Sequence, residues 1–300
     1  MKKITLIAIL TTSIFITSCS KNDELTEKTI TQSFQNLPDL GDNYVYEGWL
    51  IVGSEKISTG RFSNTEGENF TSNSIDIIKV NSATTYVLTI EPATESGSDL
   101  TNPSGWIFSK SDFTNNTAIP STDDALYSGS SNLESATGKF FLKAPSVGTT
   151  GSDANGIWFI DALPPTTGGY SNLPTLADGW IYEGWVVVEG TPITTGTFTN
   201  VAATDDAAPY SGPDALAAPN GSDGFFPGED FLISAPASVV FPLDVRGKTA
   251  VISIEPYPDN SPAPFTLKPL VGVAGQETAP VLHAMNSNVI ASFPTGSVSR

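Results

Sequence analysis

Four glutamates in this 300-residue chain stand where a carboxyl could do chemistry, and they come in two matched pairs. Glu47 lies in Tyr46-Glu47-Gly48-Trp49 and Glu183 in Tyr182-Glu183-Gly184-Trp185. Glu91 and Glu255 each precede a proline, in Ile90-Glu91-Pro92 and Ile254-Glu255-Pro256. Paired carboxyls can act as acid and nucleophile in glycoside hydrolysis, and a carboxylate beside an aromatic plane suits a sugar ligand. Strand alternation would place Glu47 with Trp49 on one face and Tyr46 with Gly48 on the other. The same residues also suit a scaffold. A glutamate can tie up backbone N–H groups at a sheet end, a tryptophan can pack beside it, and a glycine can admit a neighbouring ring close over the backbone. All four glutamates lie in duplicated segments, which favours the scaffold.

Other chemistry finds little material. His283 is the sole histidine and Cys19 the sole cysteine, so a His/Cys zinc cluster is ruled out. Ser261 and several aspartates leave a hydrolytic triad open by composition, but no Gly-x-Ser-x-Gly elbow and no Gly-x-x-x-x-Gly-Lys loop is present. Asp123-Asp124, Asp153-Ala154-Asn155, Asp205-Asp206, Asp223, Glu229-Asp230 and Asp259-Asn260 sit in Gly/Pro-rich stretches. Oxygen-rich loops suit calcium, yet none follows the spaced Asp-x-Asp-x-Asn-Gly pattern, and Asp and Asn populate turns for their own reasons. The expectation is no enzyme, no cofactor and no metal, with loop-bound calcium as the one open exception. Lys and Arg number 14 against 32 Asp and Glu, for a formal net charge of −18. That balance argues against a nucleic-acid partner.

The segments that carry these residues are two copies of one unit. Residues 36–64 recur without a gap as residues 172–200, an offset of 136 set by Tyr46 and Tyr182, and about half the positions are identical. Residues 86–92 recur as 250–256 at an offset of 164, so the second copy carries 28 more residues between the two blocks. Residues 45–52 and 181–188 are apolar on both alternating faces, as in strands covered on both sides. Residues 86–90 and 250–254 are β-rich and close at a proline, which cannot donate to a ladder. Residues 57–62 and 193–198 read as hairpin return strands after turns at 53–56 and 189–192. No window beyond the first residues sustains a helical period. The fold class expected is all-β: two tandem β-sandwich-like domains over 36–165 and 171–300, joined at the Pro164-Pro165 and Gly168-Gly169 linker. Binding should fall on the variable inserts. In the second insert Phe225 and Phe226, beside Asp223, Glu229 and Asp230, are the candidate ligand or partner contacts; one ring would anchor the loop and the other stay near the surface.

The duplicated motifs resemble a family. Tyr-Glu-Gly-Trp, then Ile57-Ser58-Thr59-Gly60 before Phe62, then Val87 to Ile90-Glu91-Pro92, and finally Ser261-Pro262-Ala263-Pro264-Phe265, are similar to the extracytoplasmic C-terminal domain of anti-sigma-K-type factors. The second copy, over 180–270, carries all of these pieces; the first has Asn102-Pro103-Ser104-Gly105 in place of the last. The resemblance implies a β fold and an extracytoplasmic setting. The family's cytoplasmic sigma-binding domain and membrane helix have no counterpart here, so anti-sigma activity is not carried over.

Lys2 and Lys3 precede an apolar run over 4–16. As a helix, at ~1.5 Å per residue, it falls short of a ~30 Å hydrocarbon core. Residues 1–18 therefore read as a cleaved lipoprotein signal peptide. Ile16-Thr17-Ser18-Cys19 resembles a lipobox, so Cys19 is the expected lipidation site, carrying palmitate or a similar acyl chain; a plain secretory signal is the other reading. Residues 19–35, polar and charged, would be a flexible tether. Their acidic start resembles signals that send lipoproteins to the outer membrane. The expectation is an outer-membrane lipoprotein, extracytoplasmic, acting as a binding or scaffolding module for an envelope protein or glycan. An envelope sensor or partner-regulating module is the alternative.

Overall fold

The computed structural model describes residues 26–64, 69–94, 101–127, 132–149, 151–162, 166–214, 226–259 and 261–300. They form an all-β molecule of several sheets; among them the longest helix is Ile77–Ser82, a single turn and a half capped by the Asp76 carboxylate.

The duplication is repeated in three dimensions down to its register. Tyr44–Val52 pairs with Glu55–Phe62, and Trp180–Val188 with Thr191–Phe198. Each hairpin has a bulge opposite Gly48/Trp49 or Gly184/Trp185, with Thr59 or Thr195 as the extra residue. The next residue, Gly60 or Gly196, holds φ at +112° or +111°, a conformation that favours glycine. The other edge of each central strand pairs with Thr85–Pro92 or Thr249–Pro256, and both of these end at their proline. One face of each trio feeds the aromatic core. Tyr46 stacks on Phe62 at 5.9 Å and Tyr182 on Phe198 at 5.4 Å. The Tyr46 hydroxyl donates to the Pro38 carbonyl at 2.9 Å and the Tyr182 hydroxyl to Pro174 at 2.7 Å.

The copies then diverge. In the first, Ile107–Asp112 completes a four-stranded sheet, and a second sheet packs across it in the order Asn69–Thr71, Thr31–Gln35, Thr295–Ser299, Thr117–Ala118. Phe34 from the second sheet meets Phe62 at 6.1 Å and Tyr86 at 6.4 Å, closing a sandwich. In the second copy the trio extends through Leu270–Val273, Leu282–Ser287, Thr137–Leu142, Gly156–Trp158 and Gly228–Asp230, with Tyr170–Ser171 on a side branch. This long sheet bends over its own core: Tyr170 stacks on Phe198 at 5.6 Å, across from its partner strand Thr137–Leu142.

Two expectations about domain limits need correction. The segment 19–35 is not all tether, because Thr31–Gln35 is a strand paired on both edges. The sheets are also not divided at 165–171. Thr137–Leu142, from the first half, lies inside the second copy's sheet, and Thr295–Ser299, from the second half, lies inside the first copy's sandwich. Phe108 and Trp180 touch at 6.4 Å across the two copies, and one buried cluster runs through both. Once strands are exchanged, neither half can bury its core without the other.

Candidate functional site

The face of each trio turned away from the aromatic core carries the duplicated acids. Glu47 and Trp49 share it, as do Glu183 and Trp185; all four are buried. The tryptophans are fixed by hydroxyls. Trp49 Nε1 donates to Thr89 Oγ1 at 2.9 Å and Trp185 Nε1 to Ser253 Oγ at 2.8 Å. The glutamates are fixed the same way. The Ser58 hydroxyl donates to Glu47 and the Thr194 hydroxyl to Glu183. The Ser104 N–H donates to Glu91 and the Phe265 N–H to Glu255, each at 2.8 Å. Each acid thus organises the loop or strand beside it, as a scaffold residue does.

At one position the copies part. In the first, Arg61 lies along this face, with Nε 3.6 Å from Glu47 Oε2 and Nη2 donating to the Pro92 carbonyl. Its counterpart in the second copy is Thr197, whose hydroxyl donates instead to Asp206 at 2.7 Å. Glu183 therefore has no guanidinium. Its Oε2 is buried without a donor, and besides the Thr194 hydroxyl on Oε1 its carboxyl meets Asp259. Burial, with Asp259 and Glu255 adding like charge, pushes the Glu183 carboxyl up to about 8. Burial likewise raises Glu255 to about 7.

Glu255 and Asp259 open onto a cleft of about 370 Å³ between the two copies. Its other walls are aromatic and proline-rich: Tyr44 and Trp106 from the first copy, Pro256 and Phe265 from the second. Tyr44 and Trp106 meet edge to face at 5.5 Å, and Trp106 Nε1 donates to the Tyr257 carbonyl at 3.0 Å, joining the copies across the floor. Phe265 ends the Ser-Pro-Ala-Pro-Phe segment, which Asp259 precedes by two residues. Sequence reasoning placed Glu255 in a scaffold, weighed Asp259 only as a loop ligand for calcium, and passed over Tyr44 and Trp106. Only the packing of one copy against the other brings them together.

The residues nominated from the second insert fall elsewhere. Cys19, Asp223 and Phe225 lie outside the described residues. Phe226 is buried against Phe141, Trp158 and Ile160, so its ring is an anchor and not a contact. Glu229 and Asp230 are buried too, because Gly228–Asp230 is a strand pairing with Gly156–Trp158. Asp230 accepts from the Ser146 N–H at 2.7 Å and from Trp158 Nε1 at 2.9 Å, and Glu229 from the Ser211 hydroxyl at 2.6 Å. The surface contact expected of these two acids is therefore corrected to an internal bonding role. Asp205 caps the Gly228 N–H at 2.8 Å, and Asp153 pairs with Lys143 at 3.3 Å. Among the described residues no group of three or more His, Cys, Asp or Glu side chains is arranged to hold a metal ion. None of the described helices is long and apolar enough to cross a membrane.

No protein family, curated protein or solved structure matches the chain.

Proposed function

We propose that this chain is a lipid-anchored, extracytoplasmic binding module of the outer membrane, and that its ligand, an envelope protein or glycan, enters the cleft between the two β-copies. The observation that carries the reading is the cleft itself, about 370 Å³, with aromatic walls from one copy facing carboxyls from the other. Concave sites lined by aromatics with a few convergent polar groups are where small ligands and protruding side chains bind. The duplicated glutamates are engaged by hydroxyls and backbone N–H groups, so the role proposed is binding and not catalysis. The anchor proposed is a multiply acylated Cys19, since each buried CH₂ of an acyl chain contributes ~0.8 kcal/mol and stable attachment takes more than one chain.

Two experiments test the reading. Tyr44 is 38% exposed, so Tyr44→Ala should leave the melting temperature nearly unchanged while abolishing capture of envelope material by the immobilised mature chain. Capture that survives would remove the cleft from consideration. For the anchor, Cys19→Ala should move the protein out of the detergent-extractable membrane and stop palmitate labelling; retained labelling would refute the lipidation site.

A further inference from the structure

The first copy shows what its acid face requires, and the second copy lacks it. Arg61 spans two acceptors in the first copy, the Glu47 carboxylate and the Pro92 carbonyl. Both acceptors recur in the second, as Glu183 and Pro256, at the same register: Glu47 pairs with Thr89 as Glu183 pairs with Ser253, and Tyr44 pairs with Pro92 as Trp180 pairs with Pro256. The base does not recur, because Thr197 replaces Arg61. In its place the chain sets a third carboxyl, Asp259, against Glu183, with Glu255 nearby. Glu183 is only 5% exposed, and its Oε2 has no base and no hydroxyl beside it.

We propose that the second copy's acid face takes an arginine side chain of a partner protein, inserted through the cleft so that its guanidinium meets Asp259, Glu183 and the Pro256 carbonyl. A guanidinium fits this set better than other cations. Its planar fork reaches a carboxylate and a carbonyl together, as Arg61 does, while an ammonium is a compact point charge. Tyr44, Trp106 and Phe265 line the approach, and aromatic faces favour a passing guanidinium. A bare divalent cation is disfavoured by the absence, among the described residues, of a preformed cluster of ligands. The raised carboxyl of Glu183 fits an acid whose counter-ion is supplied from outside. This inference rests on the cleft being the binding site and adds the chemistry of the group bound there.

The test uses the mature chain, an extended Gly-Gly-Arg-Gly-Gly peptide, and the same peptide with citrulline or lysine in place of arginine, titrated by calorimetry. The arginine peptide should bind at least tenfold more tightly than the citrulline and lysine peptides. Glu183→Gln and Asp259→Asn should each weaken it at least tenfold, with melting temperatures measured in parallel to exclude misfolding. The decisive variant is Thr197→Arg, which supplies the base internally: it should keep the fold, raise the melting temperature and abolish peptide binding. Equal binding of arginine and citrulline, calcium binding in preference to arginine, or unchanged binding by Thr197→Arg would each overturn the proposal. Failure here, with Tyr44→Ala still losing capture of envelope material, would reject the arginine and keep the cleft. If that capture also survives, both fall.

Discussion

Glu183 keeps its proton to about pH 8 mainly because burial strips water from the carboxylate, and Asp259 and Glu255 make the charged form dearer still. The Thr194 hydroxyl works the other way but is outweighed. Burial also lifts Asp205 to about 8 and Glu229 and Glu255 to about 7. In the unfolded chain these groups ionise near pH 4 to 4.5. The folded state therefore binds more protons between those values and about pH 8, and the stability these groups contribute is present below pH 4 and lost as pH rises through 7 to 8. Melting temperature should accordingly fall between pH 5 and pH 9, and Glu183→Gln should flatten the upper part of that fall. Circular dichroism melts across the range check it; a pH-independent melt would mean the acids are solvated. Phe226 belongs to the same scale. Its ring fills a pocket with Phe141, Trp158 and Ile160, so Phe226→Ala should cost ~3–5 kcal/mol. A loss under 1 kcal/mol, measured by urea unfolding, would return the residue to the surface.

At the scale of elements, the twin hairpins were legible because their strands are apolar on both alternating faces and each ends at a fixed proline. Thr31–Gln35 was not legible, for a reason visible at Gln32. An inward position in a strand normally announces itself with an apolar residue. Here the inward position is an amide, 1% exposed, whose oxygen accepts from the Thr59 hydroxyl at 3.0 Å and the Tyr86 hydroxyl at 2.5 Å. All three groups crowd over Gly48, where a Cβ would come within 2.3 Å of Gln32 and Thr59 oxygens. Gln32→Leu should then cost about 1–3 kcal/mol, the usual penalty for buried donors left without an acceptor, and Gly48→Ala should cost more, since the Gln32, Thr59 and Tyr86 side chains must all give way. Thermal melts of the two variants rank the effects; a neutral Gly48→Ala would mean the strand is not seated on Gln32. The cleft was illegible for a different reason. Tyr44, Trp106 and Asp259 sit in ordinary loop and strand-end contexts, and nothing local marks residues that become neighbours only when two copies pack.

Across the whole molecule, a repeat in sequence has not produced two independent units. The copies share a continuous core and each lends a strand to the other. Periodicity reports what a segment buries, but not which distant segment covers it, so the duplication could be read and the exchange could not. Residues 171–300 expressed alone should therefore give no cooperative unfolding transition, because the sheet they begin would lack both Thr137–Leu142 and Gly156–Trp158, the strands between Leu282–Ser287 and Gly228–Asp230. A sharp transition from that fragment would show that the strand exchange is dispensable. Removal of 295–300 from the otherwise intact chain should be almost as damaging, since Val298 is fully buried beside Gln32 and Ala118.

The placement of Thr295–Ser299 between Thr31–Gln35 and Thr117–Ala118 also sets a clock. A chain delivered from its N-terminus, as every chain is in synthesis, offers its first sandwich long before the strand that closes it. Until those residues arrive, the second sheet of that sandwich lacks the strand between Thr31–Gln35 and Thr117–Ala118. Non-local pairing of this kind is slow to form, so the first sandwich is expected to close late. A product cut short upstream of Thr295 therefore cannot complete the first sandwich, whereas every strand of the long sheet lies within 137–287.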